Sequence, residues 1–312
     1  MTEIICGVDV AAEHLDACIG PHGAELRVAN TASGIVELAD FCRRHEVELV
    51  VMEASGGYER VAFGQLWADG LACAVVNPRE VRRFAEAMGR LEKTDRIDAG
   101  MIAHYAEVRQ VAPCTPADAE QRRLRAIAGR IRQLTAVKVA QAAQRAKAEI
   151  PEVLDGFTEL LDVIERQIAQ LAHELRTVID VDPLWAALDH AFREIKGVSD
   201  RTVATLLAEF PEIGTLSNKA AAKLAGLAPL AKDSGKRAGR RKVRGGRASV
   251  RGILFVVASV VARHDPDFAE THRRLTAQGK PKKVVRIALA RKLLVRLNAK
   301  ARDARQNLAV PA

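Results

Sequence analysis

Two strongly apolar runs early in the chain each carry a carboxylate: Asp9 within Gly7-Val8-Asp9-Val10, and Glu53 at the close of Val50-Val51-Met52-Glu53. Both runs are rich in branched side chains and read as buried strands. An ionised group placed there is costly unless a cation or a hydrogen-bonding partner compensates it. The fold must therefore bring something to these two positions, and a second acidic pair, Asp95 and Asp98 in Thr94-Asp95-Arg96-Ile97-Asp98, is available nearby in sequence.

The pattern from Glu3 to about Ala112 alternates strands and helices. Ile4 to Val10 reads as a strand, His14 to Ile19 pairs back across a short polar link, and Leu26 to Ala29 adds a third, so the opening is a meander. Ser33 is placed to cap a helix carrying Ile35, Leu38 and Phe41; Glu48 to Glu53 follows as an apolar strand, and Tyr58 to Ala68 as a helix. Ala72 to Val76 reads as a further strand ended by Asn77-Pro78, with a basic helix after it, and Thr94 as the cap of a helix carrying the aspartate pair. Three antiparallel strands followed by crossover helices is the order of a ribonuclease-H-like, RuvC-like fold, a mixed sheet with helices on its faces. In it Asp9 stands on the first strand and Glu53 at the end of the neighbouring fourth. Asp95 and Asp98, three apart, share a helix face, so the four acids can converge. Together they would repel one another; magnesium (Mg2+) relieves that repulsion and is the ion used to cut phosphodiesters. The competing reading of Asp95 and Asp98 is a charge pair serving a helix N-terminus.

Pro113 to Pro116 marks a boundary, giving a first domain over 1–112. Over 113–182 the composition turns to long helices. Leu124, Ile127, Ile131 and Leu134, then Ile164, Ile168, Leu171, Leu175 and Val178, recur at steps of three and four, the seam of a coiled coil. Pro151 and Gly156 separate the stretches, which either fold back as a hairpin or pair with a second subunit in a homo-oligomer. The last domain, 183–312, opens with a segment similar to a helix-hairpin-helix around Ile195-Lys196-Gly197-Val198-Ser199, whose glycine turn can present N–H groups to a phosphate. Ala220 to Ala225 and Arg251 to Ala262 read as helices, and Lys282 to Lys300 as a basic amphipathic one.

The formal charge is +9, and the bases concentrate in 232–251, where Asp233 is the single acid. Lys236, Arg237, Arg240, Arg241, Lys242, Arg244, Arg247 and Arg251 are the candidate nucleic-acid contacts of this segment. Aromatic residues make up only 4%, which disfavours stacking on single-stranded bases as the main device. Cys6, Cys18, Cys42, Cys73 and Cys114 are odd in number and scattered, as expected of reduced core thiols. With no signal-peptide layout and no apolar run long enough for a bilayer, a cytoplasmic location without membrane contact is expected.

Within the basic segment, Ala225-Gly226-Leu227-Ala228-Pro229 is followed by Ser234-Gly235, then by Gly245-Gly246-Arg247 and Arg251. With Asp9, Glu53, Thr94-Asp95, Asp98 and the heptad middle, these pieces resemble, in order and spacing, the one-hundred-and-ten family of insertion-sequence transposases, also called DEDD transposases. The resemblance covers nearly the whole chain. It implies a DNA recombinase in which Asp9, Glu53, Asp95 and Asp98 bind magnesium and Ser234 attacks a DNA phosphate to form a phosphoserine link. It also implies double-stranded DNA as partner, a structured guide RNA that pairs with donor and target, and a homo-oligomer, a dimer or a tetramer on DNA. On the residues alone Ser234 also reads as a turn residue beside Gly235. Two other functions stay open: a junction-resolving nuclease using water as nucleophile, and a non-catalytic nucleic-acid-binding scaffold.

Overall fold

A computed structural model describes residues 3–89, 95–231, 233, 239 and 241–309, and for residues 95–97 the backbone alone. The chain forms two compact units, Met1–Ala117 and Asp118–Ala312: a mixed α/β sheet unit, and a unit that is almost entirely helical.

In the first unit, β1 (Ile5–Val10), β2 (His14–Ile19) and β3 (Glu25–Ala29) make an antiparallel meander, and β4 (Leu49–Glu53) and β5 (Cys73–Val76) extend the sheet in parallel. The strand order is β3-β2-β1-β4-β5. Alternation along the strands sorts the side chains onto two faces. Cys6, Val8 and Val10 of β1 and Val50 and Met52 of β4 pack with Ile35, Leu38 and Phe41 of α1 (Ala32–Arg44) and Ala62 and Leu66 of α2 (Glu59–Ala68). On the other face, Ile5, Leu49 and Val51 pack with Val81 and Ala85 of α3 (Pro78–Ala87) and with Met101, Ile102 and Ala103 of α4 (Asp95–Arg109).

Local capping departs from the sequence reading at one point. Thr31, not Ser33, caps α1: its Oγ1 accepts from the Gly34 N–H at 3.4 Å, and Ser33 lies inside the first turn. A cap needs extended backbone, and Thr31 has it at φ −130°, ψ 166°. Asn77 caps α3 with Pro78 at the first helical position. The expected cap Thr94 lies outside the described residues. All five cysteines are free; four are buried, but Cys114 is exposed, because it sits in the extended segment after α4, held by a 2.8 Å backbone bond to the Cys73 carbonyl.

The second unit begins with α5 (Ala119–Arg145) and α6 (Pro151–Val181), which fold back on each other within one chain. Arg123 meets Glu174 at 3.6 Å near one end and Lys138 meets Glu165 at 2.7 Å further along, which fixes the pairing as antiparallel. Leu124 and Leu175 at the base of this hairpin join the core made by α7 (Pro183–Arg193), α8 (Asp200–Glu209), α9 (Asn218–Leu224), α10 (Ala248–His264), α11 (Pro266–Ala277) and α12 (Lys282–Ala309). Buried Asn298 of α12 accepts from the Gly214 N–H at 2.9 Å and donates to the Leu216 carbonyl at 3.0 Å, satisfying a turn that would otherwise bury open polar groups. Among the described residues no helix is long and apolar enough to cross a membrane.

A close helix-on-sheet approach is at Gly7, where an added Cβ would stand 2.1 Å from the Ala99 carbonyl oxygen and 2.5 Å from the Ala103 nitrogen. Gly7→Ala must therefore push backbone against backbone, and unfolding in urea should show a loss of about 1–3 kcal/mol. Gly64→Ala on α2, where a Cβ meets nothing within 4 Å, should instead be neutral or stabilising; equal effects of the two changes would contradict the packing described.

Candidate active site and basic loop

Strand register places the first two acids. β1 and β4 run parallel with Val8 opposite Met52, so Asp9 and Glu53 follow one step further on, at the same end of adjacent strands. Asp9 shares the parity of Gly7, and Glu53 that of Val51, so both stand on the face covered by α4. Asp98 immediately precedes Ala99, the residue whose carbonyl lies against Gly7, and Asp9 is two residues beyond that contact. Asp9, Glu53 and Asp98 are each half-buried. Asp95 begins α4, and its side chain lies outside the described residues. The donors are all carboxylate oxygens, the chemistry that suits a hard divalent cation. Among the described residues, no three His, Cys, Asp or Glu side chains are gathered closely enough to hold a metal.

A fifth acid stands beside them that sequence reasoning passed over. Asp16 lies directly opposite Asp9 in the β1–β2 pairing, on the same face, and is only 5% exposed. Arg27 on β3 holds it through both carboxylate oxygens, at 2.6 and 2.9 Å, with His14 Nε2 at 3.3 Å. Arg27 thus supplies the cation that lets two aspartates face each other across a strand pair. The signal was present in the alternation His14-x-Asp16-x-Cys18, which puts Asp16 on the face of Asp9. Glu59, also unremarked, fixes the turn after Glu53: its Oε2 accepts from the Ser55 and Gly57 N–H groups at 3.0 and 2.9 Å.

The second unit carries the basic loop. β6 (Pro229–Leu230) pairs with β7 (Lys242–Val243), and Ser234 falls in the chain between them. Ser234, Lys236, Arg237 and Arg240 lie outside the described residues. Asp233 accepts from the Gly239 N–H at 2.9 Å and binds Arg241 through both oxygens at 2.6 and 2.8 Å; Arg241 and Gly239 hold its carboxyl below the usual aspartate range.

The base of the loop explains the glycines of the motif. Gly226 and Gly246 adopt left-handed backbone, φ +69° and +63°. A Cβ on Gly226 would stand 2.2 Å from the Gly245 carbonyl, and one on Gly246 2.3 Å from the Gly226 nitrogen. Only glycine fits both the angle and the approach. The Arg247 N–H then donates to the Leu224 carbonyl at 2.9 Å. The Arg247 side chain turns inward, with two 2.5 Å bonds to Glu212, one of 2.9 Å to the Glu209 carbonyl, and a position 5.5 Å over the Phe210 ring. Arg251 donates to the Gly245 carbonyl. Of the candidate contacts in this segment, Arg241, Arg247 and Arg251 thus hold the protein itself, whereas Lys242 and Arg244 are exposed.

The turn between α7 and α8 places Gly197 at φ +100°. There a Cβ would meet the Val261 nitrogen at 3.2 Å, so this glycine serves packing onto α10.

Burial raises the Glu212 carboxyl, but the bonds from Arg247 outweigh it and leave the pKa below its ordinary 4.5. A carboxyl lowered by folding contributes stability above that value and loses it as pH falls through the lower folded one. Arg247→Ala should therefore cost about 1–3 kcal/mol at neutral pH and less at acid pH, in urea titrations at several pH values. Arg244→Ala should change stability by less than about 0.5 kcal/mol.

Two family models match the chain: one for DEDD transposases over residues 6–159, and one for the transposase IS116/IS110/IS902 family over residues 189–273. Two curated proteins, the pilin gene-inverting proteins of Moraxella lacunata and Moraxella bovis, are each 27% identical over 311 residues, covering 94% of this chain and 94% of their own. The strand-borne acids, the glycine-braced basic loop and these matches, which together span most of the sequence, agree: the chain belongs to the IS110-type DEDD transposases.

Proposed function

We propose that this chain is a magnesium-dependent DNA recombinase that cuts and rejoins double-stranded DNA to move or invert an insertion sequence, with Ser234 as nucleophile and a structured RNA as guide. The observation that carries the reading is the parallel register of β1 and β4, which sets Asp9 and Glu53 side by side under α4. The strand order supports a ribonuclease-H-like, RuvC-like unit over 1–112. The matched family supports DNA cutting and rejoining, and the names of the curated relatives make inversion a natural outcome. Residues 113–182, whose two long helices fold back on each other, serve as a helical spacer, and 183–312 carry the serine.

Asp9, Glu53, Asp95 and Asp98 hold the metal in this reading. When bound, magnesium supplies polarisation of the phosphoryl oxygens and stabilises charge on the attacking or leaving oxygen. Asp16, neutralised by Arg27, keeps Asp9 in place without adding an open charge. The Oγ–P bond of Ser234 forms as the bond from phosphorus to the leaving deoxyribose oxygen breaks; the serine proton passes to solvent, and the departing oxygen takes one up. The phosphoserine ester conserves the energy of the broken bond, so a deoxyribose hydroxyl can reverse the step without ATP. Lys236, Arg237, Arg240, Lys242 and Arg244 neutralise phosphates, while Arg241, Arg247 and Arg251 keep the loop in shape.

Ser234→Ala should abolish the covalent protein–DNA adduct and strand exchange on DNA carrying the insertion-sequence ends. Asp9→Asn should lower cleavage by about 10²-fold or more and leave duplex binding intact. Cleavage without an adduct in Ser234→Ala would transfer the function to a water-using nuclease; duplex binding with no cleavage by the wild-type protein would make it a scaffold.

A further inference from the structure

The exposed positive charge of the second unit is not confined to the loop around Ser234. Between Thr271 and Arg302 the sequence contains no acid, and the corner where α11 meets α12 carries Arg273 and Arg274 at the end of α11, Lys280 in the turn, and Lys282 and Lys283 at the start of α12. All five are exposed, and none of their side chains makes an ion pair or hydrogen bond among the described residues. Further along α12 the situation reverses: Lys292 bonds Asp267 at 2.7 Å, Arg296 bonds Asp265 at 2.8 Å, and Lys300 bonds Glu194. Lys292, Arg296 and Lys300 thus hold the fold, whereas the five at the corner do not.

Their placement also costs stability. Lys282 and Lys283 occupy the first turn of α12, which has no acid to balance them, where positive charge is disfavoured. Five neighbouring cations repel one another as well. Five cations that serve no internal contact, two of them at a helix end that disfavours them, point to an external anion.

The chemistry of the turn narrows the partner. No Phe, Tyr or Trp follows Phe268 in the chain, which disfavours base stacking as the main device here. Val284 is the single large apolar side chain exposed near the turn, too little to anchor it in a lipid surface. Long flexible cations without stacking or apolar groups suit a row of phosphates read without regard to sequence.

We propose that the α11–α12 turn is a second DNA-binding surface, separate in sequence from the serine loop, that grips the backbone of duplex DNA through Arg273, Arg274, Lys280, Lys282 and Lys283. It rests on the reading of the chain as a DNA recombinase. The surface supplies affinity and orientation and leaves the choice of sequence to other parts.

The test is the salt dependence of binding to a duplex of unrelated sequence, for the full-length wild type and a variant with all five residues changed to Gln. Because the charges oppose folding and make no internal contact, the variant should melt at or above the wild-type temperature. Its slope of log K against log salt should be shallower by about 4 to 5, since each of the five phosphate contacts contributes about 0.9. Arg273→Lys with Arg274→Lys, which keeps the charge, should retain the wild-type slope. An unchanged slope in the Gln variant overturns the proposal, as does a change seen with a structured RNA but not with the duplex. The Ser234→Ala adduct assay separates the two readings: an unchanged slope with adduct formation intact removes this surface only, and a shallower slope with no wild-type adduct removes the serine mechanism only.

Discussion

The first unit depends on a bare contact between a strand and a helix. Because residue 7 has no side chain, the backbone of α4 at Ala99 and Ala103 lies directly on β1. That contact sets the distance of α4 from β1, with Asp98 next to Ala99 in the chain, and parallel pairing brings Glu53 of β4 to the same strand end as Asp9. A larger residue at position 7 would lift the helix and, with it, Asp98. The apolar packing around the acids is made by Ile5, Leu49, Val51, Met101 and Ile102.

The second unit solves a comparable problem with glycine and arginine. A chain carrying many bases between two short strands would repel itself into an open loop. Here the stem is closed by backbone-on-backbone approach at Gly226, Gly245 and Gly246, and by the inward guanidinium of Arg247 on Glu212. Part of the positive charge is spent on structure, so Lys242 and Arg244 are left exposed on a braced stem. This division between bracing and exposed bases recurs along α12.

Much of the first unit is legible in the sequence because its strands alternate cleanly and its acids interrupt apolar runs. Asp9 and Glu53 could be paired in advance, since the order of strands and helices fixes which strands are neighbours. Asp16 was harder to see: its role comes from the register with Asp9 and from Arg27 eleven residues away, and neither is a property of a local window. Thr31 displaced Ser33 as the helix cap because backbone angle decides between adjacent hydroxyl residues. In the second unit the basic run announced charge but not its use, because the partners of Arg247, Glu212 and the Phe210 ring, arrive from a distant turn. Helix α11 buries only Phe268 and Leu275, too few to make its period readable, and β6 and β7 are two residues long.

If the carboxylates at the ends of β1 and β4 bind a divalent cation, thermal unfolding with and without magnesium reveals it without any need for DNA. A ligand at ten times its dissociation constant stabilises the folded state by about 1.4 kcal/mol, so the melting temperature of the wild-type protein should rise as magnesium is added. Glu53→Gln should fold but lose that rise. The same magnesium response in both proteins, or none in the wild type, would contradict the claim.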